Sequence, residues 1–359
     1  MCIPYSCPLF VQRLHGDENG SFVSGTPYRM EMGAGMWKRE KKPGEGYVTG
    51  WKAKEKGFEV WCRKMIVAAY KGIRRGHWKK VVKRVLLALF VVVGVFILGR
   101  YLLSDELEVT FHHLYSPKIL GTDNTRLVVL SDLHNREFGT DNTTLIRQIS
   151  SLEPDLIIMA GDMVNAYEDD LDVILHLCDE LLKVAPVYYG PGNHENHLFY
   201  EKGSPLESLL MERGVHVLVN RAEEVTIHKT PFLIGGLTTA PEGFEEYGVE
   251  FIEEYEKSSD FKLLIAHYPG LYYDALADTE IDLGICGHYH GGLVRLPILE
   301  GLYHGDVGFL PKYSGGMYSL PRSTIFVSRG MEDHSGFPRV NNRPELAVID
   351  INGRQETER

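Results

Sequence analysis

The sequence predicts an α/β (α+β) fold, a four-layer αββα sandwich of two mixed β-sheets flanked by helices, preceded by one transmembrane helix. Three observations predict it. Short, mainly apolar runs recur at 127–130, 156–160, 187–189, 262–266 and 282–286. They are too short for helices and apolar at consecutive positions, as strands buried on both faces are. In the first half of the body such runs alternate with helical periodicity, and in the second half strands cluster, which suits two packed sheets with helices outside. Upstream of all this, 85–99 is fifteen residues without a charged or polar side chain.

Taken in order, residues 1–36 show no sustained periodicity and are rich in Gly, Ser and Pro, so no structure is assigned there. Residues 37–84 hold sixteen Lys and Arg against four Asp and Glu, whereas 105–359 hold nineteen against forty-two. The net charge of −11 over 359 residues therefore joins a basic arm to an acidic body. A nucleic-acid binder would place positive charge around its cleft, so no nucleic-acid partner is expected; a juxtamembrane segment facing anionic lipid fits better. Aromatic residues such as Trp51, Trp61 and Tyr70 interleave with the basic ones, and 1–80 reads as a disordered or interfacial N-terminal segment. The anchor follows at 81–103, since a span needs about 20 mostly apolar residues. Lys83 and Arg84 at one end and Arg100 at the other can snorkel to the interfaces. The positive-inside bias places the N-terminus in the cytoplasm and the body, 104–359, on the extracytoplasmic side. The five cysteines, Cys2, Cys7, Cys62, Cys178 and Cys286, form no C-x-x-C pair and read as buried or incidental thiols.

Within the body, Asp141 or Asn142 caps a helix that carries Leu145, Ile149 and Leu152 at helical spacing and stops before Pro154. Helices are expected over 170–184 and over 205–213, the second ended by Gly214. Strands at 215–219, 224–228 and 232–237 come in succession. A helix at 247–257 leads into the 262–266 strand and another at 271–277 into the 282–286 strand. Strands at 324–328 and 346–349 finish the chain.

Each buried run ends in the same kind of chemistry. The first leads to Asp132 and His134, the second to Gly161-Asp162, and the third to Gly192-Asn193-His194-Glu195. The fourth leads to His267 and the fifth to Gly287-His288-Tyr289-His290. The carboxyl ends of strands are where open sheets bind ligands. Carboxylate, amide oxygen and imidazole together suit Mn²⁺, Fe²⁺ or Zn²⁺. Seven candidates (Asp132, His134, Asp162, Asn193, His267, His288 and His290) exceed what one catalytic zinc uses and suit two ions with open positions. Two ions about 3.5–4 Å apart clamp a phosphoryl group and hold a hydroxide for in-line attack.

In order and spacing, these five pieces resemble the motifs of the calcineurin-like metallophosphoesterases, over about 125–350. The resemblance implies one metal held by Asp132, His134, Asp162 and His290, and a second by Asp162, Asn193, His267 and His288. It makes His194 the catalytic histidine that stabilises or protonates the leaving oxygen, and Asp162 the bridging carboxylate. Manganese is the metal preferred, with iron or zinc as alternatives. Protein serine/threonine phosphatases carry an aspartate, and purple acid phosphatases a tyrosine, three residues after the bridging aspartate; here Asn165 stands there, and Pro191 replaces the arginine of the protein phosphatases. Neither branch fits, and what orients His194 stays open. Gly291 to Pro297, Val327-Ser328-Arg329-Gly330 and the run from Phe337 to Leu346 resemble instead a membrane-associated bacterial branch, UDP-diacylglucosamine pyrophosphatase-like.

The activity this implies is hydrolysis of a phosphate or pyrophosphate ester, on a membrane- or lipid-linked substrate, with no obligate protein partner. The alternatives are a broad surface phosphatase or phosphodiesterase of soluble esters and, from another class, a tethered binding module without catalysis. Other residues read more plainly. His112 and His113 are a polar surface pair, and His304 and Asp306 belong to a polar glycine-rich loop. Arg295 and Arg329 are surface ion-pair partners that could otherwise grip a phosphate. Glu195 is a hydrogen-bond acceptor behind the ligands rather than a ligand.

Overall fold

The computed structural model describes 78–103, 106–120, 124–168, 170–238, 248–296, 300–305, 307–332 and 339–353, together with a few short stretches before residue 78. Contacts divide the chain into two compact units, 1–89 with 305–308, and 90–304 with 309–359. In the first, Phe10–Val11 pairs with Tyr28–Arg29 and Leu14–Gly16 with Phe22–Ser24, two short antiparallel ladders where no structure was expected. Cys2, Cys7 and Asp306 lie outside the described residues, as does most of the aromatic and basic run 37–77.

The apolar run forms helix α1, Trp78–Leu103, of 26 residues. Its side chains from Val85 to Phe96 are largely exposed. Among the described residues no helix is long and apolar enough to cross a membrane. The continuously described side chains of α1, 78–96, include Lys79, Lys80, Lys83 and Arg84 beside the apolar run, and the expected anchor over 81–103 is taken up below as a proposal.

The body builds two six-stranded sheets. The first contains β1 (Glu108–Tyr115), β2 (Asn124–Leu130), β3 (Leu156–Ala160), β4 (Val187–Gly190), β5 (His216–Val217) and, from the end of the chain, β12 (Glu345–Asn352), in the order β1-β12-β2-β3-β4-β5. The second contains β6 (Arg221–Ile227), β7 (Thr230–Gly236), β8 (Phe261–Ile265), β9 (Ile281–Cys286), β10 (Gly316–Ser319) and β11 (Ser323–Val327), in the order β6-β7-β8-β9-β11-β10. Both are mixed. The ladders β2-β3-β4-β5 and β7-β8-β9-β11 are parallel, while β12 meets β2, and β6 meets β7, antiparallel.

Three cores give the four layers. Between the sheets, Leu127, Val129 and Ile158 of the first meet Leu263, Ile265 and Ile285 of the second, all fully buried. The opposite pleats of β2 and β3, Val128, Leu130, Ile157 and Met159, pack under helices. These helices are α2 (Thr143–Ser151), α3 (Asp172–Leu181) and, after the short α4 (Asn193–Asn196), α5 (Leu206–Arg213). α3 buries Ile174, Leu177, Cys178 and Leu181, the i, i+3, i+4, i+7 stripe of an amphipathic helix. On the far side Leu264 and Cys286 pack under α6 (Val249–Tyr255) and α7 (Pro269–Tyr273). Each fully buried Leu or Ile contributes about 1.5–3 kcal/mol by leaving water, so these central strands fix the sheets' common edge.

Two local details differ from the sequence reading. Asn142 precedes α2, but in a left-handed conformation, and its Oδ1 accepts from the Phe138 N–H at 2.9 Å rather than capping the helix. The helix expected at 271–277 starts two residues earlier, at Pro269, whose fixed φ and missing N–H suit a first turn. Cys178 and Cys286 are buried, and burial raises the Cys178 thiol to about 12.

Candidate metal centre

Parallel register brings the strand ends level. Leu130 pairs with Met159 and Ala160 with Gly190 in the first sheet, as Ile265 pairs with Ile285 in the second. Beyond that edge the chain turns sharply. Asp132, His134, Asp162, His288 and His290 all have φ between 46° and 69°, the left-handed region that side-chain-bearing residues rarely adopt. Such turns cost of order 1–3 kcal/mol each and persist only where their surroundings over-determine them.

Those surroundings are specific. Glu195, fully buried, accepts the N–H groups of Asp162 and Met163 at 2.8 Å, of Gly192 at 2.7 Å and of Val164 at 3.2 Å, and the Tyr189 hydroxyl at 2.6 Å. Its carboxylate thus ties the turn after β3 to the turn after β4, and it does not face the ligand cluster as a donor. Asp132 accepts from Ser131 Oγ at 2.5 Å and from the His288 N–H at 3.1 Å. Gly192 is required for close approach, since a Cβ there would lie 2.2 Å from Asp162 Oδ1.

All seven candidate ligands reach this edge. Three groups of donors could each hold a cation: Asp132, His134 and His290; His134, Asp162 and His194; and Asp162, His267 and His288. Asp162 belongs to two of them. The Nδ1–H of His267 donates to Ala160 O, and that of His290 to Glu332 O, both at 2.7 Å, so the neutral form of each ring carries its lone pair on Nε2. Those lone pairs face acid: His267 Nε2 lies 3.1 Å from Asp162 Oδ2, and His290 Nε2 lies 3.6 Å from Asp132 Oδ1. Two acceptors that close need a positive charge between them, a proton or a cation. Asn193 Oδ1 is buried without a hydrogen-bond partner among the described residues, as an amide oxygen reserved for a metal would be. The donor set, imidazole nitrogen with carboxylate and amide oxygen, fits divalent ions of the manganese, iron and zinc type.

The electrostatics agree. Burial pushes Asp132 and Asp162 up, but the surrounding imidazoles outweigh it and hold both below the usual carboxylate range. Burial, helped by His290 and His194, outweighs Asp162 and Asp132 and carries His134 down to about 3, so it is neutral, the form that binds metal. His267 is desolvated too, yet Asp162 and Asp132 raise it to about 10. A divalent cation held there would neutralise the same pair of carboxylates and take the place of that proton.

His194 lies edge-on to His134, ring centres 4.5 Å apart. Its orientation, open in the sequence, comes from the backbone: the Ala166 N–H donates to its Nδ1 at 2.9 Å. A peptide N–H only donates, so Nδ1 carries the lone pair and the ring proton sits on Nε2. The ring is thus oriented by the backbone amide of the residue after Asn165, not by the Asn165 side chain. Asn165 itself turns to the Tyr167 N–H and to Glu168.

Other candidates separate cleanly. Arg329 is held by Glu345 at 3.0 Å and Glu108 at 2.7 Å, and Arg295 by the carbonyls of Gly291 and Ser314, so both brace the body. His112 and His113 lie on β1, beside Thr110 and Asp350. Tyr289 is buried, its hydroxyl 2.8 Å from that of Tyr273. His304 is not a surface residue of its loop: it is buried against His288 and Tyr289. Sequence reading passed over Glu332 and Asn342, which support His290 through a carbonyl and a side-chain amide, because such roles leave no residue-type signature.

Residues 125–292 match the calcineurin-like phosphoesterase family. The chain is 27% identical over 249 residues to Phosphodiesterase YaeI of Escherichia coli (strain K12), covering 63% of this chain and 82% of that protein. It is 27% identical over 267 residues to the uncharacterized metallophosphoesterase YkuE of Bacillus subtilis (strain 168), covering 70% and 88%. It is 26% identical over 276 residues to the transmembrane protein with metallophosphoesterase domain of Bos taurus, covering 72% and 59%. These matches support a likeness of the body to the calcineurin-like metallophosphoesterase superfamily. The chain is a metal-dependent phosphoric ester hydrolase.

Proposed function

We propose that the chain hydrolyses phosphate or pyrophosphate esters at a centre of two divalent ions, manganese by preference. One ion is held by Asp132, His134, Asp162 and His290, the other by Asp162, Asn193, His267 and His288. The observation that carries this is Asp162, a buried carboxylate shared by two donor groups and fixed from behind by Glu195. Two such ions polarise a phosphoryl oxygen and lower the pKa of bound water. The protein does the rest. Glu195 and the strand-end turns hold the ligands, and His194 presents an Nε2–H donor beside them for the leaving oxygen.

The finer reading is a membrane-anchored enzyme with its body outside the cell, acting on a lipid-linked phosphate. It is supported by the uncharged run 85–99, by the exposed apolar side chains of α1, and by a related protein described as transmembrane. Exposed Tyr303, Phe309 and Leu310, next to the buried His304, add an apolar rim. The test of the core reading is turnover of bis-p-nitrophenyl phosphate by the full chain with Mn²⁺. It should be abolished by EDTA and restored by metal, and Asp162→Asn should lose both metal and turnover. Inactivity of the metal-loaded chain across several divalent ions would favour a binding module.

A further inference from the structure

Where a hairpin packs on a body, apolar side chains turn inward and polar ones outward. At 302–310 this order is inverted. Leu310 N–H donates to Leu302 O at 2.8 Å, closing the loop, and the rings of Tyr303 and Phe309 touch at 5.1 Å. Yet Tyr303, Phe309 and Leu310 are 40%, 74% and 54% exposed, while His304 is 8% exposed. The inward position is given to an imidazole at the cost of three apolar side chains left in water, so what it faces calls for a polar group.

What it faces is the metal centre. The His304 ring lies 5.0 Å from His288 and 6.3 Å from His290, one residue from each of the two proposed ligand sets. It is nearly parallel to His290 at 15°, and His290 is nearly parallel to His134 at 19°. His194 stands against His134, so four imidazoles run His194, His134, His290, His304, with the leaving-group histidine at one end and His304 at the other. The acids beneath them, Asp132 and Asp162, are 0% and 1% exposed, whereas His134, His194, His288, His290 and His304 each keep 5–8%. His304 therefore shares the thin exposure of the other imidazoles of the centre.

We propose that His304 is a substrate-contacting residue: its ring N–H holds a phosphoryl oxygen of the bound ester at the end of the imidazole row opposite His194. The proposal rests on the phosphoesterase reading for what the anion is. An imidazole offers an N–H in either protonation state, and a hydrogen bond to a charged oxygen is among the stronger kind.

The test uses the full chain loaded with Mn²⁺ and inorganic phosphate as the probe, with binding read by calorimetry and metal content by elemental analysis. His304→Ala should weaken phosphate binding roughly 10–100-fold, the loss of one charge-assisted hydrogen bond, with manganese stoichiometry at the wild-type value. His304→Gln, which keeps a donor, should recover most of it, and KM for bis-p-nitrophenyl phosphate should follow the same order. Loss of manganese in His304→Ala would overturn the proposal and make His304 a support for the ligands. Unchanged phosphate binding and KM would overturn it as well. Because phosphate binding is read without turnover, a wild-type chain that binds phosphate but hydrolyses no ester would count against the esterase reading alone.

Discussion

A single hydrogen bond decides how His194 works. With the Ala166 N–H on Nδ1, a second proton on the ring would set two donors against each other 2.9 Å apart, so the side chain acts as a neutral Nε2–H donor. His194→Ala should cut turnover by roughly 10²–10³-fold, the range for losing one hydrogen-bond donor to developing charge, while metal content measured on the same protein stays unchanged. The deficit should shrink for p-nitrophenolate, which leaves without help. Equal deficits for good and poor leaving groups would place that donor on the phosphoryl oxygens rather than on the leaving oxygen. At this scale a residue is legible in the sequence where chemistry demands its type. Asp132, His134, Asp162, His267, His288 and His290 fall into donor groups at one edge, and Glu195 sits behind them as an acceptor. The sequence is silent where the partner is a peptide group: nothing in Ala166 or Glu332 distinguishes the amide that orients His194 or the carbonyl that orients His290.

At the scale of elements, the strands deliver ligands only because the turns after them are held tightly. Gly287, after β9, shows how tightly: a Cβ there would lie 1.9 Å from Ser131 Oγ and 2.5 Å from Asp132 Oδ2. Gly287→Ala should push the first ligand aside and cost the protein metal and turnover together, beyond any loss of stability. Gly203→Ala is the control. Gly203 also has a left-handed φ, 64°, but open space around it, so it should cost about 1 kcal/mol in urea unfolding and leave metal content alone. Retained metal in Gly287→Ala would show that the turn gives way and that register alone places the ligands. The central strands were legible because burial on both faces writes an unbroken apolar run, as in Leu127 to Leu130. Two of the four edge strands, β1 and β10, were not. β1 alternates exposure along Glu-Val-Thr-Phe-His-His-Leu-Tyr, with Phe111 exposed, and β10 is only partly buried, so neither stands out from a loop.

At the scale of the molecule, charge and apolarity are segregated along the chain, and the membrane reading rests on that segregation. Residues 37–84 hold sixteen basic residues and 105–359 hold forty-two acidic ones. If the positive-inside rule governs, Tyr115→Cys, placed on the exposed end of β1 in a background without the five native cysteines, should react with an impermeant maleimide on intact cells. Labelling only after lysis would reverse the orientation. The proposed substrate class is argued from the same layout. An acidic body would repel polyanionic nucleic acid, while an enzyme anchored as proposed, within about 24 residues of its first ligand strand, would meet membrane substrates at high effective concentration. The exposed Phe309 and Leu310 beside His304 would then lie against the acyl portion of a lipid-linked ester. Matched phosphate esters with and without acyl chains, assayed on the full chain in detergent, separate this from a surface phosphatase of soluble esters. Acylation should raise kcat/KM about tenfold or more, as burying one or two apolar side chains allows. The double substitution Phe309→Ser, Leu310→Ser should remove that advantage and leave the soluble ester untouched. An acylated substrate turned over no better than its soluble counterpart would retire the lipid reading, and the anchor would then serve to hold a broad phosphoesterase at the surface.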